Sequence, residues 1–206
     1  MSILDLLSAG GRARSVPIFP LKTVLFPGAA LPLKIFEVRY VDMARECLRS
    51  SSPFGVCLIQ EGEEVGTPAV PERVGCLARI ADCDAQEPGV LKVRGEGLDR
   101  FRIVSSEVAK SGLIVAEVEP LPAEPASPDA PGLADCAEFL RKAIAGIGPG
   151  RFVEPFRFDD ASWVGFRLAE ILPLRNDVKQ KLLELTDAGM RLAVIHKFLK
   201  QQKLIA

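Results

Sequence analysis

Histidine, tyrosine and tryptophan each occur once in this 206-residue chain, as His196, Tyr40 and Trp163. A single imidazole excludes the usual histidine-rich metal sites and leaves one residue on which any Ser-His or Cys-His mechanism would have to rest. No glycine is followed by lysine, so the GxxxxGK[ST] loop that cradles nucleotide phosphates is absent. No apolar run reaches the ~18 residues of a membrane span, because Lys22, Lys34 and Glu37 interrupt the best candidate. Charge of one sign is also missing. The 26 basic and 27 acidic residues nearly cancel to a net charge of -1, which leaves no global electrostatic footprint for nucleic acid.

The five cysteines, Cys47, Cys57, Cys76, Cys83 and Cys136, form no CxxC pair and are odd in number. That pattern points to reduced, mostly buried thiols, to a cytoplasmic location, and to no metal or cofactor. At the N-terminus, Asp5 sits inside the short apolar patch and Arg12 and Arg14 follow it, the reverse of a signal peptide.

Hydrophobic residues make up 48% and charged residues 26%, enough for a substantial core. From Ser15 to Glu119 the pattern is mostly period-two alternation between glycine-bearing turns, the signature of an antiparallel sheet that curls into a small barrel or sandwich. The predicted strands are SVPIFPLK, FGVCLI, VGCLARIADCDA, VLKVRGEG with a turn at Gly95–Gly97, DRFRIVSSEVA and GLIVAEVEP. One helix interrupts them, with Phe36, Tyr40, Met43, Ala44, Cys47 and Leu48 as its apolar stripe. Pro120–Gly132 holds five prolines and reads as a semi-stiff linker. The period then changes to 3.6, predicting helices over Leu133–Ile147, after a cap among Asp159, Asp160 and Ser162, after Asn176 or Asp177, and after Thr186 or Asp187. The expected organisation is a β-rich lobe at 15–119, a linker at 120–132 and a helical lobe at 133–206.

The stretch FPGAALPLKIFEVRY, Phe26 to Tyr40, places two prolines and a glycine in one of the most apolar parts of the chain. Pro27-Gly28 reads as a turn, and Pro32 as an edge position where no ladder hydrogen bond is lost. The acidic cluster Glu61, Glu63, Glu64 reads as a solvated hairpin tip, and His196 as a packed or half-exposed helix residue. The glycines around Gly148 follow a helix instead of leading into one, so they read as a loop. Trp163 with Phe152, Phe156, Phe158 and Phe166 reads as core packing. From Ala188 onwards Arg191, Lys197, Lys200 and Lys203 have no acidic counterpart, which suits a helix C-terminus or, alternatively, RNA contact.

Taken in order, these residues resemble the N-terminal, substrate-recognition domain family of the protease Lon. The similarity lies in Pro17-Ile18-Phe19-Pro20-Leu21, Phe26-Pro27-Gly28, Leu31-Pro32-Leu33, Ile35-Phe36-Glu37 with Arg39-Tyr40 and Met43, and Val74-Gly75 with Ala78-Arg79-Ile80. It continues through Gly97 with Arg100-Phe101 and Ile103, Leu172-Pro173-Leu174, and Lys181-Leu182-Leu183-Glu184. The resemblance covers about residues 15 to 203 and implies an α+β fold: a PUA-like β-barrel lobe with one inserted helix, followed by a helical lobe. It implies a stand-alone member without the ATPase and protease modules, a non-enzymatic module that engages unfolded or exposed apolar segments of other proteins. An ATPase or protease partner, no membrane and no nucleic acid complete the expectation, with an RNA-binding PUA-like module or an unrecognised hydrolase as alternatives. The candidate peptide-binding residues are Pro27, Ala30, Leu31 and Leu33, expected to be exposed, with Ile35 and Phe36 mostly internal.

Overall fold

A computed structural model describes residues 14–205 apart from Gln86, Ala126 and Pro128, so Asp5 and Arg12 of the N-terminal stretch lie outside the described residues. The elements run β1 (Arg14–Leu21), β2 (Ala30–Ile35), α1 (Val38–Ser50), β3 (Phe54–Glu61), β4 (Val70–Pro71), β5 (Val74–Asp84), β6 (Leu91–Val108) and β7 (Ile114–Pro120). Four more helices follow: α2 (Leu133–Ile147), α3 (Ala161–Ile171), α4 (Asn176–Glu184) and α5 (Ala188–Gln201).

Five strands close a ring. β1 pairs antiparallel with β7, β7 with β6, β6 with β5 and β5 with β3, and β3 returns to β1 in parallel. Alternate residues of all five strands fill its interior, including Ile18, Cys57, Leu77, Phe101 and Ala116. The opposite faces of β1, β3, β5 and β6 join α1 and the later helices in a second core that runs from Phe19 to Leu199. Each aliphatic side chain buried there contributes about 1.5–3 kcal/mol, so the two halves of the chain are packed as well as tethered.

β6 is one continuous strand, which corrects the expected Gly95–Gly97 turn. Gly97 is there for a close approach: a Cβ on it would lie 2.2 Å from the Phe26 carbonyl oxygen. The Pro27-Gly28 turn is present, with Gly28 at φ 70° and Ala29 N–H donating to the Phe26 carbonyl over 3.0 Å. α1 begins at Val38, so Phe36 is outside it and exposed, and Leu48 is also exposed. Both depart from the expected stripe. Asp160 and Asp187 cap α3 and α5 through their side chains.

The described residues of the proline-rich segment between Pro120 and Leu133 form no strand or helix, as the prolines dictate, yet the segment is docked through Leu121 and Glu124. Leu121 N–H donates to the Arg100 carbonyl, and the Glu124 side chain is buried against Arg100 of β6 and Arg191 of α5. A free linker would leave that carboxylate in water.

Candidate protein-binding groove

β2 is an edge strand: among the described residues it pairs with β6 alone. Its alternation sends Leu31 and Ile35 into the core, keeps Leu33 half-buried, and leaves Pro32 and Lys34 exposed. Beside it opens a groove of about 280 Å³ whose floor includes Phe19 and Leu21 of β1 and Tyr40 of α1. Phe19 and Tyr40 stack with ring centroids 4.2 Å apart. Burial pushes the Tyr40 phenol up, against the opposing pull of the Arg39 guanidinium. The groove therefore has a neutral, rigid floor.

Its rim is open and mixes apolar side chains with Lys34, Glu37 and Glu64. Phe36 is 53% exposed and Val65 55% exposed, and both line the groove. These are large apolar groups that the fold leaves in water at one place. Val65 is held there by the acidic loop: Glu64 accepts from Lys22 N–H, Glu63 pairs with the Lys22 ammonium, and Gly66 N–H reaches Glu37 over 3.4 Å. The loop read as a solvated tip is thus fastened to the end of β1. Asn176 Nδ2 donates to the Lys22 carbonyl over 2.6 Å, tying the same point to α4.

The four sequence-predicted residues do not form one site. Leu31 and Leu33 line the groove, Pro27 lies in the cleft between β6 and α3, and Ala30 faces a separate hollow beside Phe152 and Ile171. Leu31 is only 8% exposed, a correction to its expected exposure, because its side chain alternates inward from Ala30 and Pro32. Phe36 and Val65 were missed. Phe36 fits a helical stripe by spacing, and Val65 stands in an otherwise polar loop, so neither carried a distinct signal.

The cleft between β6 and α3 is larger, about 570 Å³, but its deepest charges satisfy one another. Glu124 takes hydrogen bonds from Arg191 Nη1 at 2.8 Å and Ser162 Oγ at 2.6 Å, with Arg100 Nη2 2.6 Å away. Burial alone would raise this carboxyl; the hydrogen bonds from Arg191 and Ser162 and the charges of Arg191 and Arg100 outweigh it and hold it below the ordinary range. Arg191 is fully buried and paired, which corrects its reading as one of four uncompensated cations. Arg167, also fully buried, donates to the Pro27 carbonyl over 2.7 Å and fixes the turn that precedes β2.

His196 hydrogen-bonds Asp135 (Nε2 to Oδ2, 2.9 Å) and its ring packs over Gly132. Burial pushes the Cys136 thiol up to about 12 and raises Cys57 and Cys76 further, away from the reactive thiolate. No group of three or more metal-binding side chains occurs among the described residues, and no described helix is long and apolar enough to cross a membrane.

A ring of strands, a docked helical half and an apolar surface groove define an α+β domain whose exposed chemistry suits binding. The sequence model of the ATP-dependent protease La (LON) substrate-binding domain matches residues 15–201, and the chain belongs to that family. It is 27% identical to a Lon protease of Phenylobacterium zucineum over 212 residues, which covers 95% of this chain and 26% of that protein. It is 32% identical to the protein cereblon of Danio rerio over 113 residues, 53% of this chain and 26% of that protein. The chain thus spans about a quarter of each of these relatives. Among solved structures, a Lon N-terminal domain protein from Xanthomonas campestris superposes with a TM-score of 0.72 at 40% identity, covering 88% of this chain and 96% of that one. The N-terminal domain of a Mycobacterium avium complex Lon protease superposes with a TM-score of 0.67 at 19% identity, covering 91% and 98%, and shares the fold.

Proposed function

We propose that this chain binds unfolded or exposed apolar segments of other proteins in the groove beside β2, and does so without chemistry of its own. One observation carries the reading: Phe36 and Val65 stand exposed over an apolar floor at the unpaired edge of a sheet. Family membership supports a substrate-binding role, and the captured segment would pass to an ATPase or protease partner. Four of the five thiols are buried and all five are free, which supports a reducing, cytoplasmic setting. Of the residues singled out from the sequence, Leu31 and Leu33 serve as groove walls, while Pro27 and Ala30 position β2.

A shallow groove should bind weakly, with Kd in roughly the micromolar to millimolar range, about −8 to −4 kcal/mol. Capture of a permanently unfolded protein, such as reduced and carboxymethylated lactalbumin, tests this. Phe36→Ser with Val65→Ser should lower capture at least about tenfold, since burying one such side chain is worth roughly 1.5–3 kcal/mol, and should leave Tm unchanged. A stable double variant with undiminished capture would refute the assignment.

A further inference from the structure

Resting on that reading of the groove, we infer that the chain takes its ligand as an added β-strand on the free edge of β2. The preferred ligand is a segment with apolar residues two positions apart, the spacing of a strand. Gly97 N–H donates to the Ala29 carbonyl over 2.8 Å, in line with the register that pairs Ala30 with Glu96 and Leu31 with Gly95. In an antiparallel ladder, residues that hydrogen-bond to the neighbouring strand alternate with residues whose N–H and C=O point away from it. Leu31, Leu33 and Ile35 are therefore turned to β6, and Ala30, Pro32 and Lys34 direct their backbone groups to the open edge. Pro32 occupies an outward position, where its missing N–H costs the native ladder nothing.

The open edge therefore presents three carbonyls and two N–H groups, from Ala30 and Lys34, with a gap between them. An incoming strand residue opposite Pro32 would share the exposed face of Pro32. Its two neighbours would fall opposite Leu31 and Leu33, on the face that opens into the groove, next to Phe36 and Val65. Two side chains thus enter the groove and the one between them stays in water. A helical segment, apolar at every third and fourth residue, cannot match this edge.

A second copy of the chain is a poorer occupant than a foreign segment. Two β2 strands paired antiparallel about their centres would set Pro32 opposite Pro32 and lose both central donors, whereas a foreign segment meets only one missing N–H. The proline thus guards the edge against self-association and leaves it usable by a ligand.

The test uses nine-residue peptides of one composition on the 206-residue protein. One alternates apolar and polar residues, one has the same residues at helical spacing, and a series of the alternating peptide carries single backbone N-methyl groups. The alternating peptide should bind at least about tenfold more tightly than the helical one. N-methylation should weaken binding about fivefold at every second residue, the net worth of one hydrogen bond, and leave the intervening residues unaffected. Pro32→Val should tighten binding about fivefold by restoring the central donor. Equal affinity for both patterns together with indifference to N-methylation would overturn strand addition. If Phe36→Ser still abolished capture in that case, the groove itself would stand; if Phe36→Ser also had no effect, the groove would fall with it. Concentration-dependent dimerisation of the native chain that Lys34→Pro abolishes would assign the edge to a second copy and overturn the inference as well.

Discussion

Glu124, carried by the proline-rich segment, and Arg191, in the last helix, form a buried pair with Nη1 2.8 Å from Oε2. The Arg191 guanidinium carbon also lies 3.8 Å from the centroid of the Phe166 ring, and Arg100 of β6 pairs with Oε1 of the same carboxylate. One acidic side chain therefore holds β6, α3 and α5 at a common point. Its removal would leave two buried guanidiniums without a counter-charge.

Glu124→Ala should destabilise the chain by about 3–5 kcal/mol, the usual consequence of breaking a buried ion pair from one side. Urea unfolding followed by circular dichroism reads this directly. A loss below about 1 kcal/mol would mean that the pair behaves as a surface bridge and that apolar packing alone joins the two halves.

The same carboxylate sets an acid limit. Its folded-state pKa lies below the ordinary value of 4.5, so its contribution is complete above that value and is lost as pH falls through the depressed folded pKa. Stability of the native chain should therefore drop steeply below about pH 4.5, and that segment of the profile should flatten in Glu124→Gln. Parallel profiles for the two proteins would remove Glu124 from the acid response.

The parts of this fold legible in the sequence are those fixed by near neighbours. The bounds of α2, Leu133–Ile147, follow from apolar period and the Gly146–Gly150 cluster, and the caps Asp160 and Asp187 are each one of the few candidates, Asp159, Asp160 or Ser162 and Thr186 or Asp187, that stand before an apolar run. What was misread depends on distant contacts. Gly95-Glu96-Gly97 has the composition of a turn, but Gly97 is required by Phe26, which arrives from an earlier loop. Arg191 looks like a solvated helix cation until Glu124, 67 residues away, is brought to it. The groove was half legible: Leu31 and Leu33 belong to it, whereas Phe36 was hidden in a plausible helical stripe because the start of α1 is set by tertiary packing.

A pair of glycine substitutions separates close approach from mere flexibility. Gly97→Ala forces a methyl group against the Phe26 carbonyl and should cost at least about 1–3 kcal/mol, the range for overpacking. Gly146→Ala, in α2 with nothing within 4 Å of the new methyl group, should stabilise by roughly 0.5–1 kcal/mol. Equal effects in thermal unfolding would contradict the continuous path of β6 beneath Phe26.

Thiol reactivity should resolve into two classes. Cys83 is half-buried on β5, its thiol pushed up by partial burial and by Asp82 and Asp84 yet still within reach of a reagent, and Cys47, Cys57, Cys76 and Cys136 are buried with their thiols held protonated by desolvation. A disulfide reagent at neutral pH should modify one thiol in the native protein, absent in Cys83→Ser, and the remaining four only on unfolding. Rapid reaction of a second native thiol would show that one of the buried cysteines is accessible.

Leu31 and Phe36 are five residues apart on opposite sides of the burial boundary, and the same substitution should divide them. Leu31 is 8% exposed on the core face of β2, so Leu31→Asp removes packed methyl groups and buries a carboxylate. It should cost at least about 2–5 kcal/mol, so any loss of capture comes with a loss of stability. Phe36 is 53% exposed and follows β2 on the groove rim, so Phe36→Asp should leave the unfolding free energy within about 0.5 kcal/mol while removing an apolar contact from the ligand. Measured at a temperature where both variants are folded, Phe36→Asp should impair capture with no loss of stability, whereas Leu31→Asp alters a groove wall and should lose capture and stability together. A Phe36→Asp variant that is destabilised, or that captures as well as the native chain, would return Phe36 to a structural role.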